Sequence, residues 1–267
     1  MKNGFLKRAD CSIYYEATGS GPAIVFAHGL GGNHLSWWQQ VAHFSPKFTC
    51  VAFAHRGFTP SSPVPGATAP DAYADDLAAL IDELKLQDVR LVAQSMGGWT
   101  CLDYALRFPS KVRALVMACT SGTIDPGEAP GFGKKGFEDW MQRAAQTAAD
   151  LESRGILTAS GERLAREQPA LATLYRQIYQ LTPADFRVAV RGRIRQTRDR
   201  PGTLLAKLPM PVLFLTGEED CVFPTPAGPG LASFAPKGRA VSVAKAGHSV
   251  YFERAAEFNR IVEEFLS

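Results

Sequence analysis

Three residues of this chain are of the kinds that together break acyl bonds: Ser95, Asp220 and His248. A serine hydroxyl is a weak nucleophile until a base takes its proton. That base must in turn be held in one tautomer by a third group, commonly a carboxylate. Ser95 stands where such a nucleophile is made. The apolar run at residues 89–93 ends in Gln94-Ser95-Met96-Gly97-Gly98, and a helical pattern follows at residues 99–108. A strand that passes directly into a helix turns sharply and leaves room only for small side chains two before and two after the apex; Ala93 and Gly97 hold those places. The apex residue is forced into a strained conformation with its side chain exposed, the nucleophile elbow. Its usual form is G-x-S-x-G, and here Ala93 replaces the first glycine. Serine is also a favoured helix N-cap, so the motif gains its meaning from what surrounds it.

The elements that must position these residues follow from periodicity. A β-forming stretch at residues 12–17 precedes short apolar runs at 23–27, 48–54, 89–93, 112–119, 211–216 and 240–244. Helical patterns at residues 36–44, 71–86, 99–108 and 253–266 alternate with them. This alternation predicts an α/β fold, a mostly parallel central sheet with helices on both faces. The rhythm breaks at residues 121–207, where a Gly- and Pro-rich stretch is followed by helical patterns at 137–154, 161–167, 169–180 and 183–198. The expected organisation is therefore a core of residues 1–120 and 208–267 interrupted by a helical cap at 121–207. In a parallel sheet the loops after successive strands emerge at one carboxyl edge, where sites form. Ser95, Asp220 and His248 each follow a predicted strand, so topology brings them together.

These markers taken in order make the sequence resemble the α/β-hydrolase-fold serine hydrolases. The resemblance rests on His28-Gly29, Arg56-Gly57-Phe58, the elbow at Ser95, Gly217-x-x-Asp220 and Gly247-His248, each after a predicted strand. It implies Ser95 as nucleophile, His248 as general base and then acid, and Asp220 as the orienting carboxylate. It also implies an oxyanion hole from the backbone N–H groups of Leu30 and Met96, each worth about 3 kcal/mol of transition-state stabilisation. His28 would support the oxyanion turn. The segment at 121–207 occupies the family's cap position. Leu30, Trp37, Met96 and Val222 are expected to line the pocket, Trp37 and Val222 as substrate-binding residues.

Bulk properties narrow the function classes. The chain has 267 residues, 46% hydrophobic and 21% charged, with a net charge of +3, so charge makes no case for nucleic acid. The five cysteines include no C-x-x-C pair, and no His/Cys/Asp/Glu group has metal-ligand spacing, so neither a metal nor a cofactor is expected. No apolar run is long enough for a membrane span, and residues 1–11 carry no secretory pattern; a cytoplasmic setting is expected.

The expected function is a cofactor-independent serine hydrolase that cleaves a small ester, lactone or related acyl compound through an acyl-enzyme. Two other chemistries use the same triad: C–C bond hydrolysis of a dioxo acid, and acyl transfer to an acceptor other than water. A non-catalytic ligand-binding receptor on this fold is the reading of another class. Six arginines at 187, 191, 193, 195, 198 and 200 form either a solvated helix face or a hold for a substrate carboxylate. If Trp140, Leu174, Tyr175 and Tyr179 of the cap are not buried against the core, they would offer a homodimer face.

Overall fold

The structure, a computed structural model, describes residues 1–266. Eight strands form one sheet in the order β1-β2-β4-β3-β5-β6-β7-β8. They are β1 (Lys2–Lys7), β2 (Ser12–Thr18), β3 (Ala23–Ala27), β4 (Thr49–Phe53), β5 (Val89–Gln94), β6 (Val112–Ala118), β7 (Val212–Gly217) and β8 (Gly238–Val243). β1 and β2 pair antiparallel at one edge, and every pairing from β4 to β8 is parallel. All five residues of β3 are buried, as a strand covered on both faces requires. β1 escaped the apolar pattern because only Leu6 of its six residues is buried, the mark of an edge strand.

Helices α1 (Trp38–Phe44), α2 (Tyr73–Glu83), α3 (Gly97–Arg107), α8 (Ala227–Phe234), α9 (Val250–Glu253) and α10 (Ala255–Leu266) accompany the sheet. Between β6 and β7 come α4 (Gly133–Ser153), α5 (Gly161–Glu167), α6 (Pro169–Gln180) and α7 (Ala184–Gln196). α8 was hidden in the sequence by two glycines and a proline in its first half. Pro229 falls in the first turn, where its missing N–H costs no helical bond.

The α4–α7 segment reaches the core through loops at the carboxyl edge of the sheet. Thr59 Oγ1 donates to the Leu181 carbonyl (2.8 Å), Trp99 Nε1 to Thr197 Oγ1 (3.0 Å) and Gln168 Nε2 to the Glu253 carbonyl (3.0 Å). Arg193 pairs with Asp71 and Arg163 with Glu219. One hydrophobic cluster fills the sheet–helix layers. A second, separate one joins Phe58, Tyr73, Met96 and Trp99 of the core to Val190 and Ile194 of α7, with Leu30 and Phe186 packed against it. The apolar wall beside Ser95 is thus shared by core and inserted segment. Among the described residues no helix is long and apolar enough to cross a membrane.

Candidate active site

Ser95 follows β5 directly and has φ +49°, the left-handed region that non-glycine residues rarely enter. Its N–H donates to the Ala118 carbonyl at the end of β6 (3.0 Å) and its carbonyl accepts from Gly98 (2.9 Å), so both sides of the turn are fixed. The side chain is half-buried. Gly97 is required by close approach: a Cβ there would lie 2.1 Å from the Ala27 carbonyl oxygen of β3. Ala93, in place of the usual first glycine, is an ordinary buried strand residue paired with Ala27 and Met117.

Asp220 and His248 meet across adjacent loops. Gly217 permits this, since a Cβ there would lie 2.2 Å from the Gly247 carbonyl oxygen. His248 Nδ1–H donates to Asp220 Oδ2 at 2.9 Å, with both side chains buried. Asp220 Oδ1 accepts from the N–H groups of Val222 (2.7 Å) and Phe223 (2.9 Å). A carboxylate only accepts, so this contact puts the histidine proton on Nδ1 and leaves the Nε2 lone pair available. The neighbouring acids have other roles: Glu219 pairs with Arg163, and Glu218 is exposed. The His248 loop is tied to the elbow by Gln94, whose Nε2 donates to the His248 carbonyl at 3.0 Å. Among the described residues neither Ser95 Oγ nor His248 Nε2 makes a hydrogen bond, so serine and histidine are not bonded to each other in this structure.

Glu253 was missed by the sequence analysis, which reads it as the first residue of the closing helix. It is buried, and its carboxylate accepts from Gly247 N–H (2.7 Å) and Ser249 N–H (2.9 Å), clamping the backbone on either side of His248. An acid in the otherwise apolar run 250–253 was the available signal. Burial pushes its pKa up to about 7 despite the two N–H donors. The folded chain therefore binds this proton more tightly than the unfolded chain, whose value is about 4.5. The stabilisation from this group is full below pH 4.5 and is lost as pH rises through 7. The unfolding free energy of the native chain minus that of Glu253→Gln is expected to fall by roughly 3 kcal/mol between pH 4.5 and 8. Denaturant titrations at several pH values check this; a flat difference contradicts it.

The turn after β3 borders the elbow closely: a Cβ on Gly29 would lie 3.0 Å from Ser95 Cβ. His28 Nδ1–H donates to the Gly29 carbonyl (2.8 Å) and its Nε2 accepts from His55 N–H (3.0 Å). Burial holds the His28 pKa down at about 3, and burial next to His28 holds His55 well below its usual range, so both are neutral supports. Among the described residues the N–H groups of Leu30 and Met96 have no backbone acceptor. Leu30 is half-buried and Met96 buried, both in the cluster beneath α7.

Two expectations need correction. Trp37 does not line a pocket. It is fully buried, with its ring centroid 5.1 Å from Phe26 and 4.4 Å from Tyr251, because it ends a 3-10 turn that faces β3. Its neighbour Trp38 points outward instead. Tyr175 is not available to a dimer face, since it is buried and its hydroxyl lies 2.9 Å from Ser249 Oγ. Leu174 packs against the core as well. Val222 is partly exposed beside Asp220.

The fold also brings Cys119 to Asp220 and His248, with their ligand atoms all within 4.8 Å of one another, a grouping that sequence spacing concealed. Burial beside Asp220 pushes the Cys119 thiol well above its usual pKa. Asp220 already spends one oxygen on two N–H groups and the other on His248, so a metal there would have to displace the Nδ1 proton.

The family model of the alpha/beta hydrolase fold matches residues 22–255. The chain is 28% identical over 264 residues to 3-oxoadipate enol-lactonase 2 of Acinetobacter baylyi, covering 97% of this chain and 94% of the relative. Among solved structures, a thermophilic esterase from Thermogutta terrifontis with malate bound is similar at TM-score 0.78 and 21% identity, covering 100% of this chain and 98% of that one. The enol-lactonase from Burkholderia xenovorans LB400 is similar at TM-score 0.79 and 21% identity, with coverage of 98% and 99%.

Proposed function

The chain belongs to the alpha/beta hydrolase fold family, and from that premise we propose that it is a cofactor-independent serine hydrolase of a small ester, lactone or related acyl compound. The observation that carries this reading is the serine at φ +49° on a strand–helix turn, next to Gln94, whose side chain donates to the carbonyl of the Asp220-bound His248. The similarity to an enol-lactonase over nearly the full length supports the acyl substrate class.

In this reading Ser95 Oγ attacks the carbonyl carbon while His248 Nε2 takes its proton. The tetrahedral oxyanion is met by the N–H groups of Leu30 and Met96. The C–O bond then breaks, and His248 passes the proton to the departing alkoxide. Water next attacks the acyl-enzyme and gives a proton to His248. Collapse of the second tetrahedral species releases the acid and returns the proton to Ser95. For a lactone, acid and alcohol leave as one molecule. Residues 121–207 act as a cap that roofs the site and limits bulk water, over a core of 1–120 and 208–267.

The test is a panel of activated esters and lactones of graded acyl length, together with a fluorophosphonate probe and mapping of the labelled residue. Turnover with one label per chain at Ser95 is the expected result. Labelling elsewhere, or a saturable ligand with no product, overturns the assignment. A dioxo acid cut faster than any ester moves the reaction to C–C hydrolysis, and acyl product on an added alcohol moves it to transfer.

A further inference from the structure

The six arginines between 187 and 200 are not equivalent in the folded chain. Arg187 donates through Nη1 to the carbonyls of Tyr179 and Thr182. Arg193 pairs with Asp71, and Arg200 with Asp103. Arg191 and Arg195 are exposed. Two of the six lie over an aromatic ring with an enclosed, unpartnered Nε: Arg187, 3.9 Å from the Tyr179 ring centroid, and Arg198, 4.8 Å from that of Trp99. Arg198 differs from Arg187 in having no acceptor on its Nη groups either. Among the described residues no acceptor takes a hydrogen bond from any of its nitrogens. Only Nε is enclosed and the residue as a whole is half-buried, so its Nη groups are donors that no protein acceptor meets.

Its position links it to the reaction centre. Trp99 lies in the first turn of α3, four residues beyond Ser95, and packs in the same cluster as Met96 and Leu30. Thr197, the residue before Arg198, accepts the Trp99 indole N–H at 3.0 Å, which fixes the base of the arginine over that turn. The indole beneath it favours the cation at this place, and a guanidinium fork matches a planar bidentate acceptor. Burial and the neighbouring Arg195 pull its pKa down to about 10, so it stays cationic at neutral pH. Asp125 and Asp220 are within electrostatic reach of it, yet neither pairs with it.

We propose that Arg198 anchors a substrate carboxylate, so that the site takes anionic acyl compounds whose carboxylate lies a short chain away from the scissile carbonyl. This inference rests on the serine-hydrolase reading above. It makes Arg198 a specificity-determining residue that touches the substrate away from the bond that breaks.

The experiment has two arms. In the first, kcat/KM is measured for 4-nitrophenyl hydrogen glutarate and for the neutral 4-nitrophenyl valerate, with the native chain, Arg198→Gln and Arg198→Lys. A native preference for the acid is expected. The loss in Arg198→Gln should be about 10- to 100-fold greater for the acid than for the neutral ester, mostly in KM, and Lys should recover part of it. No native preference, or equal losses on both esters, overturns the proposal. In the second arm, glutarate is titrated calorimetrically into Ser95→Ala with and without Arg198→Gln. Binding at least tenfold weaker in the double variant is expected; equal binding, or no binding to Ser95→Ala, overturns the proposal. If neither ester is hydrolysed by the native chain, the fluorophosphonate and lactone panel above decides the hydrolase reading by itself, and the glutarate titration decides the role of Arg198.

Discussion

Replacing Ser95 with alanine is expected to lower kcat on an activated ester by about 10^4-fold or more, with the fold intact. The magnitude follows from the role proposed for Oγ, since no other group supplies the attacking oxygen of the acyl-enzyme step. The structural cost should be small. Oγ is half-buried and makes no hydrogen bond among the described residues, so its loss leaves no buried donor or acceptor stranded. Alanine meets the same steric penalty at φ +49° that serine already meets. Steady-state kinetics beside a thermal melt check both halves. Turnover retained at an unchanged melting temperature would place the nucleophile elsewhere. Activity lost together with a melting temperature lowered by many degrees would mean that the turn, not the hydroxyl, had been damaged.

Replacing Asp220 with asparagine is expected to cost about 10^4-fold in kcat through the tautomer of His248. In the native chain the carboxylate accepts the His248 Nδ1 proton at 2.9 Å, which leaves Nε2 for the role of base proposed above. An asparagine that keeps its carbonyl on the Val222 and Phe223 N–H groups turns its NH2 toward Nδ1. Nδ1 must then accept, and the proton moves to Nε2, where it blocks the base. Asp220→Ala separates this from packing. It should lose a similar factor in activity and also about 1–3 kcal/mol of stability, because the two loop N–H groups lose their acceptor. Denaturant unfolding of the two variants beside their kinetics makes the test. Equal stability of the two, or near-native activity in Asp220→Asn, contradicts the role given to this carboxylate.

The two variants also bear on Glu253. Asp220 and Glu253 are both buried carboxylates at the His248 loop, but only Asp220 touches the ring. Glu253 holds the peptide groups of Gly247 and Ser249, so it positions the histidine through its backbone. Asp220 sets where the proton sits on the ring, and Glu253 sets where the loop that carries the ring sits.

Much of the α/β architecture and the approach of Asp220 to His248 were legible in the sequence because their causes are local. A strand-to-helix reversal restricts side-chain size within a few residues, and Ala93, Ser95 and Gly97 carry that restriction on their face. Strands buried on both faces announce themselves as continuous apolar runs, and parallel topology then brings the loops after them to one edge. What the sequence left open depends on partners brought in by packing. Trp37 and Trp38 are adjacent and alike, and only the 3-10 turn before α1 decides which ring enters the core. Glu253 became a clamp because the loop at 247–249 folds back over it in a region that α5 and α6 cover. Arg198 stood undistinguished among six arginines. The pairing of Arg193 with Asp71, 122 positions away, and of Arg200 with Asp103, 97 positions away, shows why: ion-pair partners are chosen across the fold. Backbone sterics and burial periodicity are properties of neighbouring residues, so the sequence by itself determined the frame. Which charged or aromatic side chain is matched and which is left to meet a substrate is a property of the packed whole, and only the tertiary structure decided it.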